Sequence, residues 1–521
     1  MASDLAESNA AWAVEVAPQP LMPWHEYRPT RSLCTPASCS RFAQLRWRRA
    51  AGASGYELDR RTGCASCSDC EGTLPVETLA TTTFTWASSD TADGRGCWRV
   101  RAFDDSAQSP WSEWRSIRLN RVPDDINGDG YSDLVVRTRP PRDSEIEPVT
   151  EIWFGGPGGL TSERVLRIDV DMPPAVMVDA QILGDINGDG YDDVYTINAG
   201  YHLPRVGHLW FGSPDGLDPT PVDTPTFEGR DFTWNLQAES IGDLDGDGYD
   251  DAIPSDLSSA PPFVLRGSPA GLTLETVRPE LPHASGPFGA VDVDADGFLD
   301  LVCTSSRERQ YFLLFGGRRD VAFRRVAVAE FPDFGGYYRL TRVDDMDDDG
   351  FAELVGVGGL RMVSVIEGPV GSSSFLRHGA RSARVGGEGM FGGDVDGDGR
   401  PELALRREYA ASGRLTYDRA ETVVYDADPT LESPVVQSKP RVLDPEGGAL
   451  SDGTSMSRLL DFDGDGYADQ VWFAKIADDD FRLILFAGSE RGLAWSHVEL
   501  YRYTPGTVRF GWVSRPYFGI P

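Results

Sequence analysis

Residues 185–193 read DINGDGYDD, with acids at the first, fifth and ninth places, a carboxamide at the third and glycine at the sixth. The pattern Asp-x-Asp/Asn-x-Asp-Gly-x-x-Asp/Glu starts at Asp125, Asp185, Asp243, Asp292, Asp345, Asp394 and Asp461. One copy carries little weight, but seven at near-regular spacing define an internal repeat. The surroundings repeat too. A short apolar segment such as QILG from Gln181 precedes most copies, and a strand-like run follows: LVV from Leu134, LVC from Leu301, LVGV from Leu354, VWF from Val471. Further on comes a strand ending in glycines: WFGGPGGL from Trp153, WFGSPDGL from Trp210, LRGSPAGL from Leu265, LFAGSERGL from Leu485. The counterparts VIEGPVG and VYDADPT, after the fifth and sixth copies, are degraded. Each unit holds about four short strands, the content of one propeller blade, and blades must stack because none buries both faces alone. The expected fold class is all-β: a seven-bladed β-propeller preceded by a small β-sandwich.

The loop chemistry points to calcium, a hard cation that takes six to eight oxygens. Carboxylates or carboxamides at places 1, 3, 5 and 9 converge, glycine at place 6 permits the sharp turn, and place 7 offers a backbone carbonyl. The expected ligands are Asp125, Asn127, Asp129, Tyr131 and Asp133 in the first loop, and Asp185, Asn187, Asp189, Tyr191 and Asp193 in the second. Asp243, Asp245, Asp247, Tyr249 and Asp251 form the third, and Asp292, Asp294, Asp296, Phe298 and Asp300 the fourth. Asp345, Asp347, Asp349, Phe351 and Glu353 form the fifth, Asp394, Asp396, Asp398, Arg400 and Glu402 the sixth, and Asp461, Asp463, Asp465, Tyr467 and Asp469 the seventh. Because place 7 would bind through its carbonyl, its side chain, aromatic everywhere but at Arg400, is expected to be free. Ala295 and Asp348 replace the usual glycine at place 4, so the fourth and fifth loops are expected to be distorted or weaker. Up to seven calcium ions are expected. Magnesium fits less well, since it demands octahedral geometry and keeps its waters.

These residues resemble the FG-GAP/VCBS repeat family, whose members include the integrin α-subunit propellers. The resemblance covers about residues 120–521. It implies calcium in the loop joining the first two strands of each blade, and ligand binding on the opposite face. Residues expected on that face are Tyr201, His202, Trp234, Arg307, Arg309, Tyr337, Tyr338, Arg406, Arg407 and Tyr409, a mixture of cations and aromatic platforms suited to acidic glycans or protein carboxylates. The first loop has little room for a preceding strand, and Phe510-Gly511-Trp512-Val513 looks like the inner-strand segments of the other units. That downstream segment is therefore expected to supply the inner strand of the first blade.

Residues 1–20 read as an extension, 21–120 as a β-sandwich and 121–521 as the propeller. In CWRVRAF from Cys97, Trp98, Val100 and Ala102 alternate with Arg99 and Arg101, the period of a half-buried strand. The arginines are expected to stack on Trp111 and Trp114 of WSEWR. Strand order and residues resemble a fibronectin type III domain. Six of the seven cysteines (Cys34, Cys39, Cys64, Cys67, Cys70, Cys97) fall in this region. Up to three disulfides and an oxidising compartment are expected, with the Cys64–Cys70 cluster stapling a long loop; zinc is the rival reading of that cluster. Cys303 is expected to be buried and unpaired.

The net charge is −33, and much of the acidic excess sits in the seven loops, so nucleic acid is not an expected partner. No apolar run is long enough to span a bilayer, and the opening MASDLAESNAAWAVEVAPQP lacks the basic start and apolar stretch of an intact signal peptide. The six histidines form no metal or triad signature, and no GxSxG is present. The expected protein is a secreted or cell-surface binding or adhesion module for a glycan or protein, not an enzyme. The alternatives are a polysaccharide lyase or hydrolase built on the same propeller, or a structural subunit of a surface assembly.

Overall fold

A computed structural model describes residues 34–35, 38–39, most of 42–118, most of 122–317, the strands and short pieces between 323 and 425, and most of 455–513. Every helix or strand among the described residues is a strand. Two sheets form first. Phe42–Arg46 pairs with Thr83–Ala87, and Asp69–Thr73, Gly55–Ser66, Arg95–Phe103 and Arg115–Arg118 form the second sheet in that order, with Glu77–Leu79 also against Gly55–Ser66. They share one core of Leu45, Trp47, Tyr56, Leu58, Trp86, Trp98, Val100, Ala102 and Ile117. The period-two pattern explains the split. Trp98, Val100 and Ala102 point inward, while Arg99 and Arg101 turn outward. There the Arg99 guanidinium lies 4.8 Å from the Trp111 ring and 4.3 Å from Trp114, and Arg101 lies 4.4 Å from Trp111. Arg61 covers Trp114 as well, so cations and rings alternate in a ladder. Asp59 pairs with Arg99 at 2.7 Å, and Glu57 pairs with Arg101.

The cysteines staple a hairpin rather than a long loop. Cys64 and Cys70 face each other across Gly55–Ser66 and Asp69–Thr73 and are bonded. Cys67, at the turn between them, is bonded to Cys97 on the neighbouring strand. All four sulfurs are used, which removes zinc from this cluster. Cys34 and Cys39 are register partners in a two-stranded ladder.

Among the described residues seven larger sheets follow, one per acidic loop, all antiparallel, besides the two-stranded ladders Gly212–Ser213 with Gly216–Leu217 and Thr226–Glu228 with Thr233–Asn235. The second runs Val178–Gly184, Asp193–Asn198, Gly207–Trp210, Val222–Asp223; the third runs Ala238–Gly242, Asp251–Pro254, Phe263–Arg266, Thr273–Thr276. The fourth, fifth and seventh begin at Ser285–Val291, Arg339–Val343 and Ser455–Leu460 and also have four strands. Among the described residues the sixth has three: Met390–Gly393, Glu402–Ala410 and Tyr417–Tyr425. The first sheet differs in origin. Leu134–Arg139, Val149–Trp153 and Val165–Arg167 are local, but the place of the first strand is taken by Phe510–Val513. Val136 faces Val513 and Arg139 faces Phe510, the expected pairing of the downstream segment with the first repeat. The amide of Val513 also donates to Ser455 Oγ at 3.0 Å, tying it to the seventh sheet. Each sheet touches the next in sequence order, and the seventh touches Phe510–Val513 of the first.

Cores lie between sheets, which is why the strands read as continuous apolar runs and not as alternating ones. In LVV, Leu134 and Val136 join a cluster with Phe462, Phe473 and Leu483 of the seventh sheet. Val135 points the other way, to Ile182, Val194 and Trp210 of the second. The same arrangement joins the second sheet to the third, the third to the fourth and the sixth to the seventh. Cys303 lies in the cluster between the third and fourth sheets as a free, fully buried thiol whose pKa burial pushes up.

Candidate metal loops

Each loop leads into the second strand position of its sheet. The first, second, third and seventh are described in full and share one hydrogen-bond pattern. The carboxylate at place 1 accepts from the amides of places 5 and 6: Asp185 takes Asp189 N at 2.9 Å and Gly190 N at 2.8 Å. Asp125, Asp243 and Asp461 do the same. The place-5 carboxylate accepts from the amide of place 7, as Asp189 does from Tyr191 at 3.0 Å. Glycines at places 4 and 6 have positive φ, for example 79° at Gly188 and 104° at Gly190, which other residues adopt only with strain. The backbone is thus wrapped around its own carboxylates before any ion enters.

The carboxylate at place 9 is held by two separate amides. In the second loop Asp193 Oδ2 accepts from Ile186 N at 2.9 Å and Oδ1 accepts from Gly212 N at 2.9 Å. Gly155, Gly267 and Gly488 hold Asp133, Asp251 and Asp469 in the same way, and Gly316 holds Asp300. These glycines end the WFGG-type segments quoted above. Read from sequence they only close a strand; in the structure they anchor the last carboxylate of the loop. They can be nothing larger, because a Cβ at Gly212 would collide with the carbonyls of Asp192 and Ile126.

Neighbouring loops are linked. The amide at place 8 donates to the place-1 carbonyl of the preceding loop: Asp192 N to Asp125 O at 3.0 Å, Asp250 N to Asp185 O at 2.9 Å, Ala468 N to Asp394 O at 2.7 Å. Ser132 N donates to Asp461 O at 3.2 Å, so the seventh loop stands to the first as the first stands to the second. The place-7 side chains, not needed as ligands in that scheme, pack between loops: the rings of Tyr131, Tyr191 and Phe298 lie against the place-4 glycines Gly464, Gly128 and Gly246 of the preceding loops. Phe298 also meets Arg115 of the first domain, whose guanidinium lies 3.7 Å from its ring.

The donor set suits a hard cation. Asp461, Asp463 and Asp465 each bring an oxygen within 4.8 Å of the others, and so do Asp243, Asp245 and Asp251, which together sample places 1, 3, 5 and 9. Two like charges at that distance repel by roughly 3 kcal/mol at an effective dielectric near 20. Burial first, and neighbouring carboxylates after it, push Asp193 up to about 8 and Asp133 and Asp469 well above the ordinary range. A divalent ion would reverse this by favouring the ionised form. Calcium fits the all-oxygen set.

In the sixth loop Asp394 and Asp396 are described, and in the fourth Phe298 and Asp300. Asp292, Asp294, Asp296, Asp345, Asp347, Asp349, Phe351, Asp398 and Arg400 lie outside the described residues, as do the side chains of Glu353 and Glu402. The same holds for Tyr201, His202, Arg307, Arg309, Tyr337 and Tyr338 on the expected ligand face. Trp234 falls on Thr233–Asn235, and Arg406, Arg407 and Tyr409 fall within Glu402–Ala410, placed there by backbone alone.

The chain matches no protein-family model. It is similar to integrin α chains: 24% identical over 216 residues to integrin alpha-PS5 of Drosophila melanogaster, covering 40% of this chain and 22% of that one. It is 28% identical over 159 residues to integrin alpha-IIb of Mus musculus (28% and 15%), and 25% identical over 138 residues to integrin alpha-6 of Homo sapiens (26% and 12%). The chain therefore spans less than a quarter of the length of these curated relatives.

Proposed function

We propose that this chain is a calcium-stabilised seven-bladed β-propeller carried behind a fibronectin type III-like module, and that it works outside the cell or at its surface as a non-catalytic binding or adhesion protein. The observation that carries this reading is the relay between loops, in which Ser132 N meets Asp461 O as Asp192 N meets Asp125 O. Such a relay strings the acidic loops along one rim and joins the last to the first. Calcium would be held by the oxygens at places 1, 3, 5 and 9 with the place-7 carbonyl. Its charge would offset the carboxylates that burial and proximity destabilise. The partial similarity to integrin α chains supports an adhesion role, and the two disulfides support an oxidising setting. The opposite rim is the proposed seat of a glycan or protein ligand.

Thermal unfolding with and without chelator, followed by calcium back-titration and metal analysis, tests the central claim. Each site would add about 2.7 kcal/mol at one hundred times its Kd. A large drop in Tm, restored by calcium and poorly by magnesium, is expected. A protein that carries no calcium and melts unchanged would overturn the reading.

A further inference from the structure

The third loop differs from its fellows in one residue outside the nine-residue pattern. The first, second and fourth sheets have Phe154, Phe211 and Phe315 before the anchoring glycine and the seventh has Ala487; the third has Arg266, the one charged residue among these five. The aromatic side chains reach across to the next sheet: Phe154 lies beside Gly216 and Phe211 beside Gly271. Arg266 instead turns into its own loop. Its Nη1 lies 3.0 Å from Asp251 Oδ2 and 3.3 Å from Asp245 Oδ2, and its Nε donates to Glu275 at 3.0 Å. The guanidinium is 2% exposed, and Asp245 and Asp251 are as deeply buried. Among the described residues no hydrogen-bond donor reaches either oxygen of Asp245, and the charge of Arg266 faces it at 3.3 Å.

Building on the calcium reading above, we propose that Arg266 is a built-in cation that replaces calcium in the third loop. On that reading places 3 and 9 would supply ligands to an ion in the other complete loops, and here they already hold a guanidinium. An ion bound by Asp245 and Asp251 would sit beside a buried like charge with no water to screen it. The third loop therefore folds without metal, and calcium enters only by expelling the side chain. Its neighbour in sequence, the glycine at 267, still anchors Asp251, so the loop keeps its shape while losing its ion. The sequence pattern alone counts this loop as the equal of the seventh; the direction taken by Arg266 separates them.

The experiment is a calcium count by metal analysis after equilibrium dialysis of the full chain. Asp245→Ala should leave the number of bound ions unchanged, whereas Asp463→Ala in the seventh loop, which removes a ligand oxygen, should lower it by one. Arg266→Phe, which restores the residue of the first, second and fourth sheets, should raise it by one. If D245A lowers the count as D463A does, or if folded R266F binds no additional ion, the assignment of Arg266 is wrong and the metal reading stands. If the unaltered protein takes up no calcium, the metal reading falls and this inference with it. Because the two alanine variants are compared by the same count, it remains decisive if R266F fails to fold.

Discussion

The ring of Tyr191 lies on Gly128, at the fourth place of the preceding loop, so closely that a Cβ at residue 128 would meet Tyr191 Cε1 at 2.5 Å. Gly128 also has a φ of 67°. Conformation and space thus both demand glycine. Gly128→Ala should destabilise by about 1–3 kcal/mol in denaturant unfolding at saturating calcium. An unchanged midpoint would mean that the two loops are not in contact.

The same relation, carried along the sequence, pairs place 4 of the fifth loop with place 7 of the sixth. Those places hold Asp348 and Arg400, the one acid and the one cation among residues that are otherwise small and aromatic. Both lie outside the described residues, so the pairing is a prediction from the repeat. A double-mutant cycle with Asp348→Gly and Arg400→Tyr should give a coupling of about 0.5–1 kcal/mol, with the double variant less destabilised than the singles suggest. Strict additivity would remove the pairing.

Gly155 donates to Asp133 and packs against the carbonyls of Ser132 and Phe462, where the first and seventh sheets meet. Alanine there must push backbone away from backbone, for which no flexible side chain can compensate. A loss of at least about 2 kcal/mol is expected, together with weaker calcium binding at the first loop, read by titration calorimetry. Calcium affinity equal to that of the unaltered protein would show that the glycine does not orient Asp133.

Removal of calcium should expose a pH dependence of unusual sign. Burial raises Asp193 to about 8 and Asp461 to about 7, whereas the ordinary value is 3.8. Between these limits the folded protein holds protons that the unfolded chain has released. Stability of the chelated protein is therefore greatest below about pH 4 from this source and falls as pH rises through 7–8. Melting of the chelated protein at pH 5, 6, 7 and 8 should show a steady decline, and calcium should flatten it. A chelated Tm that climbs with pH would contradict the burial of these carboxylates.

Deleting residues 506–521 should lower the melting temperature of the whole repeat region, because it leaves Leu134–Arg139 with an unpaired edge and opens the cluster that holds Val513, Leu134 and Phe473. Melting identical to that of the full chain would count against this role.

The repeat, the pairing of FGWV with the first sheet, the inward face of CWRVRAF and the buried thiol at Cys303 were all legible, because each depends on a local period or on a segment resembling its sisters. The contacts between loops were not. They join place 4 of one copy to place 7 of the next, and nothing within a single copy reports the neighbour's position. Arg266 was visible in LRGSPAGL but read as a strand end; an arginine before a glycine can point to solvent, to the next sheet or into its own loop, and only packing decides. The cysteine cluster was open between zinc and disulfides until the hairpin set Cys64 opposite Cys70 and brought Cys97 alongside Cys67.

The pairing of Val136 with Val513 has a temporal meaning. A ribosome delivers the first partner long before the second, so the first of the repeat sheets is completed after the other described ones. During that interval its edge is open to any strand that passes, and the contact to be made spans most of the chain, which slows its formation. A chain cut before Phe510 therefore leaves the edge of Leu134–Arg139 open, and one that carries Phe510–Val513 covers it.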